Sequence, residues 1–69
     1  MISFEPLRIL MVKRNMKKKD LVSGVPISQS TAAKIGKDEY VSLKVIDDIC
    51  QFLDCEISDI IEHRKEKKE

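Results

Sequence analysis

The segment MKKKDLVSGVPISQSTAAKIGK, residues 16–37, reads as two short helices joined by a tight turn. The first runs from about Lys18 to Ser23, with Leu21 and Val22 as its apolar side. Gly24 suits the residue just past a helix end, because glycine adopts the left-handed conformation there without steric cost. Pro26 cannot continue a helix and biases Val25 toward extended backbone. The second helix opens at Ser28, whose hydroxyl can accept from the amide of Ser30 or Thr31, and runs to about Gly36. Ala32 and Ile35 lie three apart and face inward, and Ile27 staples the start. That leaves Gln29, Ser30, Ala33, Lys34 and Lys37 on the outer side.

This outer side has the chemistry of a helix that enters the DNA major groove. It is short, exposed on one side and free of bulk at its N-terminal end. Gln29, in the first turn, can make paired hydrogen bonds to the N6/N7 edge of adenine. Ser30 can bond a base or a phosphate. Ala33 permits close approach, and its methyl suits a thymine methyl. Lys34 and Lys37 suit phosphates, which position a domain without reading sequence. Lys17, Lys18 and Lys19 precede or open the first helix, the one that crosses the DNA backbone in a helix-turn-helix. Lys18 and Lys19 therefore join the phosphate set, with Ser28 and Thr31 at the start of the second helix. A solvated basic turn is the plainer reading of the lysine run; the neighbouring helix favours phosphate.

The flanking chain completes an all-α pattern. A first helix is expected over about Phe4 to Arg14, with Ser3 as cap, Pro6 in the first turn and Phe4, Leu7 and Met11 as the inner stripe. Ile9 and Val12 widen its apolar surface, half-buried or meeting a partner. Asp38 to Val41 form a loop. Tyr40 there contacts a phosphate or packs over the next helix; both remain open. Ser42 caps a fourth helix in which Leu43, Ile46, Cys50 and Leu53 repeat as a stripe that Ile49 widens. The amide of Ser42 is a further candidate phosphate ligand. Ser58 is expected to cap a short fifth helix holding Ile60 and Ile61. Residues 63–69, HRKEKKE, are expected to form a polar, frayed tail after a domain spanning 1–62.

Length and composition set the limits. A chain of 69 residues holds one small core. With 42% hydrophobic and only 4% aromatic residues, and no Trp, that core is aliphatic. The net charge of +1 hides an asymmetry: residues 1–37 carry eight Lys and Arg against Glu5 and Asp20, whereas residues 38–69 carry five basic and ten acidic side chains. A basic half toward a polyanion and an acidic half away from it fits a nucleic-acid binder. Two cysteines, Cys50 and Cys55, do not make a disulfide scaffold. No signal peptide or membrane-length apolar run is visible, and a cytoplasmic location with reduced thiols is expected.

Other chemistries lack ingredients. Cys50, Cys55 and His63 are only three soft ligands for zinc, and Cys50 lies on an apolar stripe, so packing as small apolar groups is the stronger reading. A redox switch has no visible activating charge. No nucleophile–base pair and no phosphate-cradling glycine loop is present. Asp47 and Asp48 are adjacent on a helix and do not converge on one site. The expectation is a non-enzyme with no catalytic residue, no metal, no cofactor and no small-molecule ligand.

Residues Leu7 to Ile61 resemble the Cro/C1-type helix-turn-helix family of phage repressors and bacterial regulators, most closely its short, stand-alone members. The resemblance rests on an ordered set of pieces. These are Leu7…Leu10-Met11, Met16…Leu21, Ile27-Ser28-Gln29-Ser30-Thr31, Ala32…Ile35, Val41-Ser42-Leu43…Ile46…Ile49-Cys50…Leu53-Asp54-Cys55 and Asp59-Ile60-Ile61. Lys17 replaces the family's polar cap, Val22 its small alanine and Pro26 its turn glycine, so Gly24 is expected to make the turn. The resemblance implies a compact five-helix, lambda-repressor-like domain. It implies a sequence-specific transcriptional regulator, a repressor or autoregulator, that binds double-stranded operator DNA through helix 3, often as a homodimer on a palindrome. The alternative from another class is an antitoxin or adaptor module that grips a protein through Ile9/Val12 or Ile60/Ile61.

Overall fold

The computed structural model describes residues 1–65. Its helices are α1 (Glu5–Lys13), α2 (Lys18–Gly24), α3 (Gln29–Gly36) and α4 (Leu43–Leu53), followed by a single 3-10 turn at Ile57–Asp59. Two short strands, β1 (Ile2–Ser3) and β2 (Glu62–His63), pair antiparallel, Ile2 opposite His63 and Ser3 opposite Glu62. The architecture is all-α in substance, with the two strands closing one edge.

Local chemistry explains the helix boundaries. Pro6 sits in the first turn of α1, where amides lack helical partners, with Glu5 beside it and Lys13 in the last turn, matching the helix dipole. Ser3 is fully buried in β1, and its Oγ accepts from the Glu5 amide at 3.1 Å. Asn15 ends α1 with φ 55°, a left-handed conformation that Asn tolerates better than most residues. Ser28 Oγ accepts from the Thr31 amide at 3.2 Å and Ser42 Oγ from the Val45 amide at 3.3 Å, capping α3 and α4. Asp54, again left-handed, terminates α4.

The core draws on every helix. Phe4 and Leu7, Leu21 and Val25, Ala32 and Ile35, and Ile46, Ile49 and Leu53 are buried, with Ile60 beneath α1. Each buried Leu or Ile is worth about 1.5–3 kcal/mol of transfer free energy.

Several expectations change. The fifth helix is the 3-10 turn, and its cap is not Ser58: the Asp59 carboxylate accepts from the Glu56 amide at 2.9 Å. Ile60 follows that turn and is fully buried, and Ile61 is half-buried against the core, so of that pair only Ile61 keeps any outward surface. Leu43 is 81% exposed. The buried line of α4 runs through Ile46, Ile49 and Leu53, and Leu43 lies on the Cys50 side at the open start of the helix, off that line. Gly24 has no positive φ and is the last residue of α2. Its close neighbour is the half-exposed Phe52 ring of α4, which would have to shift to admit a β-carbon there. The turn is instead made by extended Val25 and by the Ile27 amide donating to the Val25 carbonyl at 2.7 Å. His63 and Arg64, assigned to the tail on sequence, lie in or beside β2; the Arg64 amide donates to the Met1 carbonyl at 2.8 Å. Residues 66–69 of that tail lie outside the described residues.

Candidate nucleic-acid interface

Helix α3 is held from one side and open on the other. Ala32 and Ile35 are buried, whereas Gln29, Ser30 and Lys34 are exposed and Thr31 and Ala33 half-buried. The outer residues named from the sequence thus share the open side. At the N-terminal end three hydroxyls form a cluster: Ser28 Oγ lies 2.8 Å from Ser30 Oγ and 3.1 Å from Thr31 Oγ1. Gln29 stands beside this cluster, and its side chain makes no hydrogen bond among the described residues.

Two clefts flank the helix. The first is lined by Lys18, Lys19, Val22 and Ser23 of α2 together with Gln29. It joins the expected phosphate lysines to the expected base reader. The second is lined by Thr31 and Lys34 of α3 with Tyr40, Val41, Ser42 and Val45. It joins the α3 lysine to the start of α4. Lys37, the residue at the C-terminal cap of α3, lies in neither cleft. Tyr40 is 73% exposed and lines the second cleft, so α4 does not cover it.

The Lys17–Lys19 run takes its geometry from Asp20. The Asp20 carboxylate reaches back to accept from the Lys17 amide at 2.8 Å, holding the entry of α2 without a capping side chain at Lys17. All three lysines remain exposed.

Sequence reading missed what fixes the other end of α3. Asp38 follows the helix with φ 58°. Its Oδ1 accepts from the Phe4 amide at 2.7 Å and from Arg8 Nη1 at 3.0 Å, and Arg8 Nη1 also donates to the Ile35 carbonyl at 3.3 Å. The Arg8 guanidinium, followed by the Phe4 amide, holds the Asp38 carboxyl below its ordinary range. A cation therefore meets the C-terminal end of α3 and an anion the N-terminal end of α1, each at the favourable pole. Arg14 is likewise engaged internally, donating to the Leu53 carbonyl at the end of α4. Arg8 and Arg14 thus belong to the scaffold, and lysines supply the remaining positive charge of residues 1–37. The only sequence signal for the Arg8–Asp38 pair was a left-handed-tolerant Asp placed after a helix end.

Cys50 and Cys55 are both free and half-buried. Burial pushes both thiols up from their usual range. Among the described residues no cluster of three or more metal-ligating side chains occurs, and no helix is long and apolar enough to cross a membrane.

Comparison with known proteins agrees with this geometry. The chain is similar to the crystal structure of the transcriptional regulator VanUg, Form II, with a TM-score of 0.85 and 48% sequence identity, covering 88% of this chain and 81% of that one. Among curated proteins no match is found. The family model of the Cro/C1-type helix-turn-helix DNA-binding domain matches residues 6–66. With motif, fold and family model in agreement, the chain belongs to the Cro/C1-type helix-turn-helix DNA-binding domain family.

Proposed function

We propose that this protein is a sequence-specific transcriptional regulator that lays α3 in the major groove of operator DNA. The carrying observation is the arrangement around α3: Gln29 and Ser30 are exposed at its N-terminal end, between one lysine-bearing cleft on α2 and another shared with α4. In this reading Gln29, Ser30 and Ala33 face base edges. Lys18, Lys19, Lys34 and Lys37 face phosphates, together with Ser28, Thr31 and Ser42. Ser28 and Ser42 are occupied as caps, so their share is that of groups that orient helix starts toward the backbone. The protein acts by occupying DNA, as a repressor or autoregulator, on a two-fold palindromic site.

The test is selection of genomic fragments by the full chain at moderate salt, followed by footprinting. A specific regulator enriches a small set of fragments and protects a short two-fold site. Recovery of bulk DNA alone, with affinity that simply collapses as salt rises, would sink the proposal.

A second reading, as a protein-binding module, draws on one observation: Ile9 and Val12 stand out from α1, 48% and 78% exposed.

A further inference from the structure

The outward face of α1 is self-complementary. Leu7 points inward. On the opposite side Glu5, Ile9 and Lys13 follow one another at successive turns, with Val12 beside them. Two clefts on this side of the molecule share Ile9. One is lined by Glu5, Arg8, Ile9, Val12 and Lys13. The other runs between α1 and the chain after α4, where Ser58, Asp59 and Glu62 form the far wall.

This face is not built for a polyanion. Around the Ile9 groove the carboxylates of Glu5, Asp59 and Glu62 stand with Lys13, and Arg64 pairs with both Glu5 and Glu62, so the charge is mixed and not the basic surface that a polyanion requires. Its charges are ordered along the helix, acidic at Glu5 and basic at Lys13, with an apolar residue midway. A two-fold axis through Ile9 sets two α1 helices antiparallel. Ile9 then meets Ile9 of the second copy, and each Lys13 meets Glu5 of the other. An isologous contact requires that residue i meets j while j meets i, and this pattern provides it.

We propose that a second copy of this chain occupies this face, pairing α1 with α1 antiparallel through Ile9 and Val12, with Glu5–Lys13 contacts at both ends. The contact area of one nine-residue helix makes a weak dimer, at the low end of specific interfaces. The inference rests on the two-fold reading proposed above and supplies its surface. It is tested without DNA, so its failure leaves operator binding standing.

The experiment is sedimentation equilibrium of the full chain and of charge variants, alone and mixed. Wild type is expected to show a reversible monomer–dimer equilibrium. Glu5→Lys and Lys13→Glu alone each bring like charges together and weaken dimerisation by about tenfold or more. Mixed, they are expected to form a heterodimer, because an α1 basic at both ends then faces an α1 acidic at both ends. Glu5 also pairs with Arg64, so helical circular dichroism accompanies each variant. Should Glu5→Lys not fold, Val12→Asp takes its place at a highly exposed position, and an equal or larger loss is expected. A wild type that stays monomeric at all concentrations overturns the proposal. So does a dimer whose affinity no variant changes, which would place the contact on another face, and so does a mixture no tighter than its components.

Discussion

The two ends of α3 are built for opposite purposes. Its N-terminal end is short of tertiary contacts: Ser28 caps it locally, and Gln29 and Ser30 stand in solvent. Its C-terminal end is tied down across the molecule by Asp38, which holds the Phe4 amide and the Arg8 guanidinium, and by Arg8 on the Ile35 carbonyl. The difference teaches that the aim of α3 is set from behind as well as from the turn in front. It explains how a proline is accommodated where the family usually has glycine. The turn needs no left-handed residue, because Val25 is extended and buried while the far end of α3 is pinned to α1.

The largest effect belongs to the residue beneath the pinned end. Ile35→Ala removes a nearly fully buried side chain and is expected to cost about 2–5 kcal/mol in urea unfolding. A loss under half of the lower figure would mean that the site collapses to fill the gap and that Ile35 does not anchor the helix. At the open end, Gln29→Ala should leave stability untouched. It should reduce discrimination at one base pair by about 1–3 kcal/mol in binding to a set of single-base operator variants. Lys34→Ala should instead weaken all sequences alike and lower the salt slope by about one. If the two variants behave alike, the split between base reader and phosphate holder fails.

A smaller change tests the local cap. Ser28→Ala is expected to cost about 1 kcal/mol of stability, since the Thr31 amide loses its acceptor. An unchanged melting temperature would show that solvent replaces the hydroxyl there. The smallest effect is electrostatic. The Asp38 carboxyl is held below its ordinary range in the folded state, so the stability it contributes is present above its unfolded pKa. That contribution is lost as pH falls through the lower folded value. Asp38→Asn retains a residue that tolerates the left-handed conformation but removes the charge. The gap in melting temperature between wild type and variant should be widest near neutral pH and close in acid. A gap that is constant with pH would mean that the hydrogen-bond geometry, rather than the charge, ties α3 to α1.

What was legible in the sequence divides along the same line. The caps at Ser28 and Ser42 and the stripe through Ala32 and Ile35 are local, with partners three or four residues away, and pattern alone finds them. The Arg8–Asp38 tie spans thirty residues and leaves no periodic trace. The exposure of Leu43 also escaped, because i, i+3 and i+7 spacing admits more than one centre for an apolar stripe, and only Ile49 against the core decides between them. Gly24 read as a turn former because its local role is common. Its actual neighbour, Phe52, comes from another helix. The outer residues of α3 were legible as a set, but the placing of Gln29 in one cleft and Lys34 in another depends on how α2 and α4 pack beside it.

The pairing of β1 with β2 has a kinetic consequence. The Met1 amine donates to the Arg64 carbonyl across a separation of 63 residues. Most of the remaining framework is helical and sequence-local. Loop-closure entropy makes so distant a contact the slowest to repay its ordering. The helices are therefore expected to assemble first and the two strands to latch last. On opening, the same latch is expected to release before the core does, giving the amides of Ser3 and Glu62 lower hydrogen-exchange protection than those of α4.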